Sequence, residues 1–114
     1  MKFDFTALSS SKTLTRCEWG WSKTMTLQCQ GSDVIEITQA LYGRTSRVIC
    51  PWSLHWGVTD CHSTTSLGIA KDICDGEHKC TLEASNDMFG DPCRRVAKYL
   101  KVTYECKGEN GAVL

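Results

Sequence analysis

The sequence predicts a small, disulfide-rich α+β domain of short antiparallel strands with one or two short helices. Eight cysteines among 114 residues are the first sign. A chain of this length buries only about two thirds of its unfolded surface, so covalent staples supplement its core. The second is the segment Tyr99 to Cys106, where Leu100, Val102, Tyr104 and Cys106 alternate with Lys101, Thr103 and Glu105, as a strand with one buried and one wet face requires. The third is the set Leu67, Ala70, Ile73 and Cys74, which recurs at three- and four-residue spacing as a helix face does.

Taken in chain order, residues 1 to 16 are rich in Ser, Thr and Lys, precede the first cysteine and hold no sustained period, which reads as an N-terminal leader or tether. They are also too polar for the apolar core of a signal peptide. Met25 to Cys29 and Cys80 to Ala84 are short strand candidates. Val34 to Leu41, rich in β-branched residues and ending before the turn-prone Gly43, is a longer one. The helix begins behind Thr64, Thr65 and Ser66, all N-cap residues, and Gly76 stops it. Lys107 to Leu114, with its Asn110-Gly111 turn pair, reads as a C-terminal tail. The expected folded unit is therefore 17–106, in a single copy, since no internal repeat is visible.

Composition narrows the function. Thirteen basic residues balance thirteen acidic ones, so no long-range field draws the chain to nucleic acid or to anionic lipid. No stretch approaches the ~18 apolar residues of a membrane span, so membrane insertion is not expected. A zinc framework is disfavoured because zinc ligands come in close pairs. The shortest cysteine spacing here, Cys74 to Cys80, leaves five residues between, and His55, His62 and His78 follow no ligand-like repeat. Neither a metal nor another cofactor is expected. Cysteine usage points instead to disulfides and an oxidising, secreted or extracellular setting.

Three segments carry polar side chains at turns or strand ends beside a cysteine or glycine: Tyr42-Gly43-Arg44, Phe89-Gly90-Asp91-Pro92-Cys93 and Lys98-Tyr99-Leu100. Such places hold binding residues on a stapled scaffold. With the eight cysteines they resemble the rhamnose-binding lectin family, the galactose-binding or sea-urchin-egg-lectin type of domain that recurs in latrophilins. The resemblance covers nearly all of Cys17 to Cys106, and the three motifs are specific in combination although a lone YGR is weak.

The resemblance implies metal-independent binding of L-rhamnose or D-galactose, at the termini of glycans on glycoproteins or glycolipids. It also implies a pairing that the sequence alone does not choose from roughly a hundred alternatives: Cys17 with Cys50, Cys29 with Cys106, Cys61 with Cys93 and Cys74 with Cys80. The family's sugar-binding residues fall on Glu18, Tyr42, Asn86, Asp91 and Lys98. That set suits a sugar, whose neighbouring hydroxyls both donate and accept. Glu18 and Asp91 would accept, Lys98 and the Asn86 amide would donate back, and the Tyr42 ring would offer an apolar wall to the C–H face. Taken singly these residues have plainer readings: Asp91 as a turn cap before Pro92, Lys98 as a solvated strand-edge residue, Glu18 as chain beside a disulfide. Arg44 reads as structural support, a guanidinium bridging turn carbonyls.

One segment departs from the family pattern. Members commonly carry a small, glycine-containing stretch between DPC and KYL, where this chain has Arg94-Arg95-Val96-Ala97. Arg95 would stand where a glycine backbone nears the sugar, and is a candidate modifier of specificity toward acidic glycans. Trp19 and Trp21 lie just after Glu18, with Trp52 and Trp56 further on; each is either a stacking platform, Trp21 a specificity modifier among them, or core. Two other readings compete. One is an extracellular adhesion module for a protein partner. The other is a glycosidase using Glu18 and Asp91, disfavoured because a neighbouring lysine holds both as carboxylates whereas the reaction needs one protonated. The expectation is thus a lectin and not an enzyme, in which avidity calls for a homodimer or further domains.

Overall fold

A computed structural model describes residues 11–20, 22–51 and 59–108. Trp21, Trp52 and Trp56, singled out above, lie outside the described residues, as do most of the leader and the Asn110-Gly111 pair.

The elements in chain order are β1 (Lys12–Cys17), β2 (Thr24–Gln28), β3 (Val34–Arg44), β4 (Cys61–His62), α1 (Ser66–Cys74), β5 (Lys79–Glu83), α2 (Asn86–Phe89) and β6 (Tyr99–Lys107). They form a small antiparallel α+β domain. One sheet has the order β1-β6-β3-β4 and a second pairs β2 with β5. The central strand β6 shows the alternation read from its sequence: Leu100, Val102 and Tyr104 point into the core while Lys101 faces solvent.

Strand β1 corrects the reading of residues 12–16 as part of a tether. Its residues pair antiparallel with β6, from Lys12 opposite Tyr104 to Cys17 opposite Tyr99. An edge strand that buries little need not show strong hydrophobic alternation. Polar cross-strand pairs serve instead, as where the hydroxyls of Thr13 and Thr103 meet at 2.9 Å. The pairing also continues one residue beyond β1, and this places Glu18.

The helix face differs from the one expected. Ser66, Ala70 and Cys74 are buried while Leu67 and Ile73 are largely exposed. Small residues let α1 lie close on β3, where the Ser66 hydroxyl accepts the Tyr42 amide at 3.1 Å. The core behind both sheets is built from Met25, Leu27, Ile35, Ile37, Leu82 and Val102, with Tyr42 and Phe89 at the end nearest the candidate site.

Four disulfides close the fold: Cys17–Cys50, Cys29–Cys106, Cys61–Cys93 and Cys74–Cys80. These are the pairs that the resemblance implies. The widest closes a separation of 77 residues, and loop closure on that scale stabilises by about 4 kcal/mol on a chain-entropy view. Arg44 is fully buried and acts as a second staple. Its guanidinium donates to the carbonyls of Ala97, Ser46, Ile49 and Cys50 at 2.6 to 2.9 Å and lies over the Tyr99 ring.

Candidate functional site

Backbone pairing brings the first two site residues together. Beyond the Cys17–Tyr99 register of β1 and β6, the Glu18 amide donates to the Lys98 carbonyl at 2.9 Å. The Lys98 amide donates in turn to Glu18 Oε1 at 3.0 Å. The Lys98 side chain then turns inward, where it is 2 % exposed. Its ammonium meets Glu18 Oε1 at 3.3 Å and Asp91 Oδ1 at 3.0 Å, and donates to the carbonyls of Val96 at 2.6 Å and Cys93 at 3.2 Å.

Asp91 reaches this ammonium because its loop is wound tightly. The Cys93 amide donates to Asp91 Oδ1 at 3.1 Å across Pro92, an Asx turn. The Cys61–Cys93 disulfide fastens that turn to β4. The plain reading of Asp91 as a turn residue and the functional one thus hold together, since one oxygen does both and Oδ2 accepts no hydrogen bond among the described residues.

Asn86 opens α2, whose preceding residue, Ser85, caps it by accepting the Met88 amide at 3.2 Å. The Asn86 Oδ1 accepts the Tyr42 hydroxyl at 2.8 Å, which leaves the amide N–H groups directed away from that bond. Tyr42 itself is 0 % exposed and its ring stacks on Phe89, with centroids 5.3 Å apart. Burial, and then the negative charges of Glu18 and Asp91, push its phenol far above the ordinary tyrosine range.

All five expected residues therefore converge, but two are not what the sequence suggested. The Tyr42 ring is no wall for a ligand, because Phe89, about 45 residues further along, covers it; the hydroxyl orients Asn86 instead. Lys98 is no solvated edge residue, and its three N–H donors already face four protein acceptors. It bridges two carboxylates. The groups left facing outward are the Glu18 and Asp91 carboxylates, with side chains 10 % and 30 % exposed, and the Asn86 amide.

Two further groups border this site. Trp19, 54 % exposed, follows Glu18 in a turn that Gly20 closes onto Cys17. Arg95 is exposed and has φ +69°, the left-handed region that glycine adopts freely and a side chain does not. Cys93, two residues before it, and Val96, the next residue, supply carbonyls that hold Lys98.

A fixed pair of carboxylates with an amide beside them, on a disulfide-stapled frame, is the equipment of a sugar-binding module. The chain belongs to the D-galactoside/L-rhamnose binding SUEL lectin domain family, whose model matches residues 27–106. It is 40 % identical over 84 residues to the L-rhamnose-binding lectin ELEL-1 of Echinometra lucunter, covering 73 % of this chain and 82 % of that one. It is 44 % identical over 96 residues to a rhamnose-binding lectin of Silurus asotus, covering 82 % of this chain and 30 % of that one. Latrophilin Cirl of Drosophila ananassae shares 35 % identity over 105 residues, 90 % of this chain but 6 % of that one.

Proposed function

We propose that the domain binds terminal L-rhamnose- or D-galactose-type sugars on glycoconjugates through Glu18, Asp91 and Asn86, with Lys98 and Tyr42 positioning them. The observation that carries this reading is the Lys98 bridge to both carboxylates. A buried ammonium fixes the two acceptors at one spacing, so they match adjacent sugar hydroxyls of one configuration, and an inverted hydroxyl leaves a charged acceptor unpaired. The reading invokes no metal, since the ammonium itself balances the two carboxylates. That contact engages Oε1 of Glu18 and Oδ1 of Asp91 with one ammonium, an arrangement that supports binding rather than the separate acid and nucleophile of glycosidic turnover. Four disulfides support action in an oxidising, extracellular setting. With one such site among the described residues, agglutination requires a homodimer or further domains.

A second reading has its own observation. Exposed Arg94 and Arg95 on the rim favour a terminal sugar that carries, or adjoins, a carboxylate or sulfate, since guanidinium pairs bidentately with such groups. The exposed Trp19 also suits a protein surface, which supports the alternative of an extracellular adhesion module.

Titration calorimetry in EDTA tests the first reading. L-rhamnose and D-galactose should bind saturably while D-glucose and L-fucose do not, and Glu18→Ala or Asp91→Ala should abolish binding. Failure of both sugars with disulfides intact would sink it, and acidic glycans would be tried next.

A further inference from the structure

Beside the site lies an open groove of about 370 Å³, walled by residues 62–65 on one side and 89–92 on the other. Its size falls at the lower end of ligand pockets, roughly 300 to 1,000 Å³. Asp91 belongs to both the groove and the site. The two walls are joined covalently, because Cys61 precedes the first and Cys93 follows the second, and these two form a disulfide.

Tyr42 ties the groove to the site from beneath. The Ser63 amide donates to the Tyr42 carbonyl at 3.0 Å, while Phe89 of the other wall stacks on the Tyr42 ring. The tyrosine that holds Asn86 therefore also holds the groove, so the two concavities keep one relative placement. Gly90, at φ +79° and ψ 168°, adopts backbone that essentially only glycine takes, and it turns the chain from α2 into Asp91.

The lining mixes exposed hydroxyl, imidazole and carboxylate groups with a partly buried proline. The Thr64 hydroxyl makes no hydrogen bond among the described residues. Asp91 disfavours a phosphate or sulfate, and the apolar area is too small for a peptide helix. Hydroxyl-bearing edges around an apolar face are the chemistry of a sugar ring.

We propose that this groove is a second subsite, which receives the penultimate sugar of an oligosaccharide whose terminal sugar occupies the Glu18, Asn86 and Asp91 site. Asp91 lies between the two rings, with Oδ1 fixed by Lys98 and Oδ2 turned to hydroxyls. His62 and Thr64 contact the second ring. This inference rests on the sugar-binding reading of the first site.

The test is calorimetric titration with methyl galactoside and with disaccharides bearing terminal galactose in α and β linkage, on the parent chain and on the His62→Ala, Thr64→Ala double variant. At least one disaccharide should bind the parent about five-fold tighter than the monosaccharide, the effect of one net hydrogen bond. In the variant that ratio should fall to about one while the monosaccharide constant is unchanged, which also reports an intact fold. Equal affinity for mono- and disaccharides in the parent, or a ratio that survives in the variant, overturns the subsite alone. No binding of any sugar by the parent overturns the first site, and the subsite with it.

Discussion

Glu18 and Lys98 are joined three times over: amide to carbonyl, amide to carboxylate, and ammonium to carboxylate. The backbone contacts are what make the ionic one rigid, because they fix the start of both side chains. Replacing Lys98 by Met removes the only ammonium facing Glu18 and Asp91 among the described residues and leaves two carboxylates repelling each other. Loss of one partner from a buried pair costs about 3 kcal/mol, discounted somewhat because Asp91 is 30 % exposed. Denaturant melts of Lys98→Met should show that loss, and sugar binding should vanish. Retained affinity would show that Lys98 does not position the carboxylates.

Tyr42→Phe isolates the hydroxyl that holds Asn86. The phenyl ring keeps its stack on Phe89, so stability should fall by only about 1 kcal/mol, the net value of one hydrogen bond. Sugar affinity should fall several-fold as the Asn86 amide loses its anchor. The pH dependence has a definite sign. Burial and the carboxylates raise the Tyr42 pKa in the folded state above its unfolded value of about 10. Its contribution is therefore complete below about pH 10 and is lost as pH rises toward the folded value, because the unfolded chain releases a proton that the folded one keeps. Above pH 10 the parent should lose stability about 1.4 kcal/mol per unit faster than Tyr42→Phe. Parallel curves would place the hydroxyl in water.

These two residues also show what the sequence could and could not reveal. Strand β6 was legible because its alternation is local, and Tyr42, Asp91 and Lys98 stood out because three short motifs carry them, whereas Glu18 and Asn86 entered only through the resemblance. The burial of Tyr42 and Lys98 was not, since it depends on distant partners: Phe89 for the ring, and Glu18, Asp91 and two loop carbonyls for the ammonium. A polar residue at a turn reads as exposed until its acceptors are found. Strand β1 was hidden for a related reason, as its pairing with β6 uses threonine hydroxyls and backbone in place of an apolar face. The groove had no sequence signal, because it arises only where a disulfide brings residues 62–65 against 89–92.

Gly43 is where β3 and β4 come closest. A Cβ there would stand 2.1 Å from the Cys61 carbonyl oxygen and 2.6 Å from the His62 Cα, both backbone atoms that cannot rotate away. Gly43→Ala must therefore separate the strands, at a cost of about 3 kcal/mol or more. Thermal unfolding should drop by roughly 12 °C or more for a domain of this size. An unchanged melting temperature would mean that β4 does not pair as described.

Arg95→Gly separates strain from specificity. An arginine at φ +69° costs about 1 to 2 kcal/mol relative to ordinary backbone, which glycine relieves. Glycine also loosens the unfolded chain, offsetting about 0.4 to 1 kcal/mol of that. The net expectation is a variant as stable as the parent, or more stable by up to about 1.5 kcal/mol. If the rim cation selects acidic glycans, the same variant should lose affinity for sulfated or carboxylated galactosides while its affinity for neutral galactose holds or rises. Measuring both sugars at low and high salt sharpens the distinction, because a guanidinium contact at an exposed rim weakens with screening. A variant that binds acidic and neutral sugars in the parent's ratio would remove Arg95 from specificity and leave its left-handed backbone as a purely structural cost.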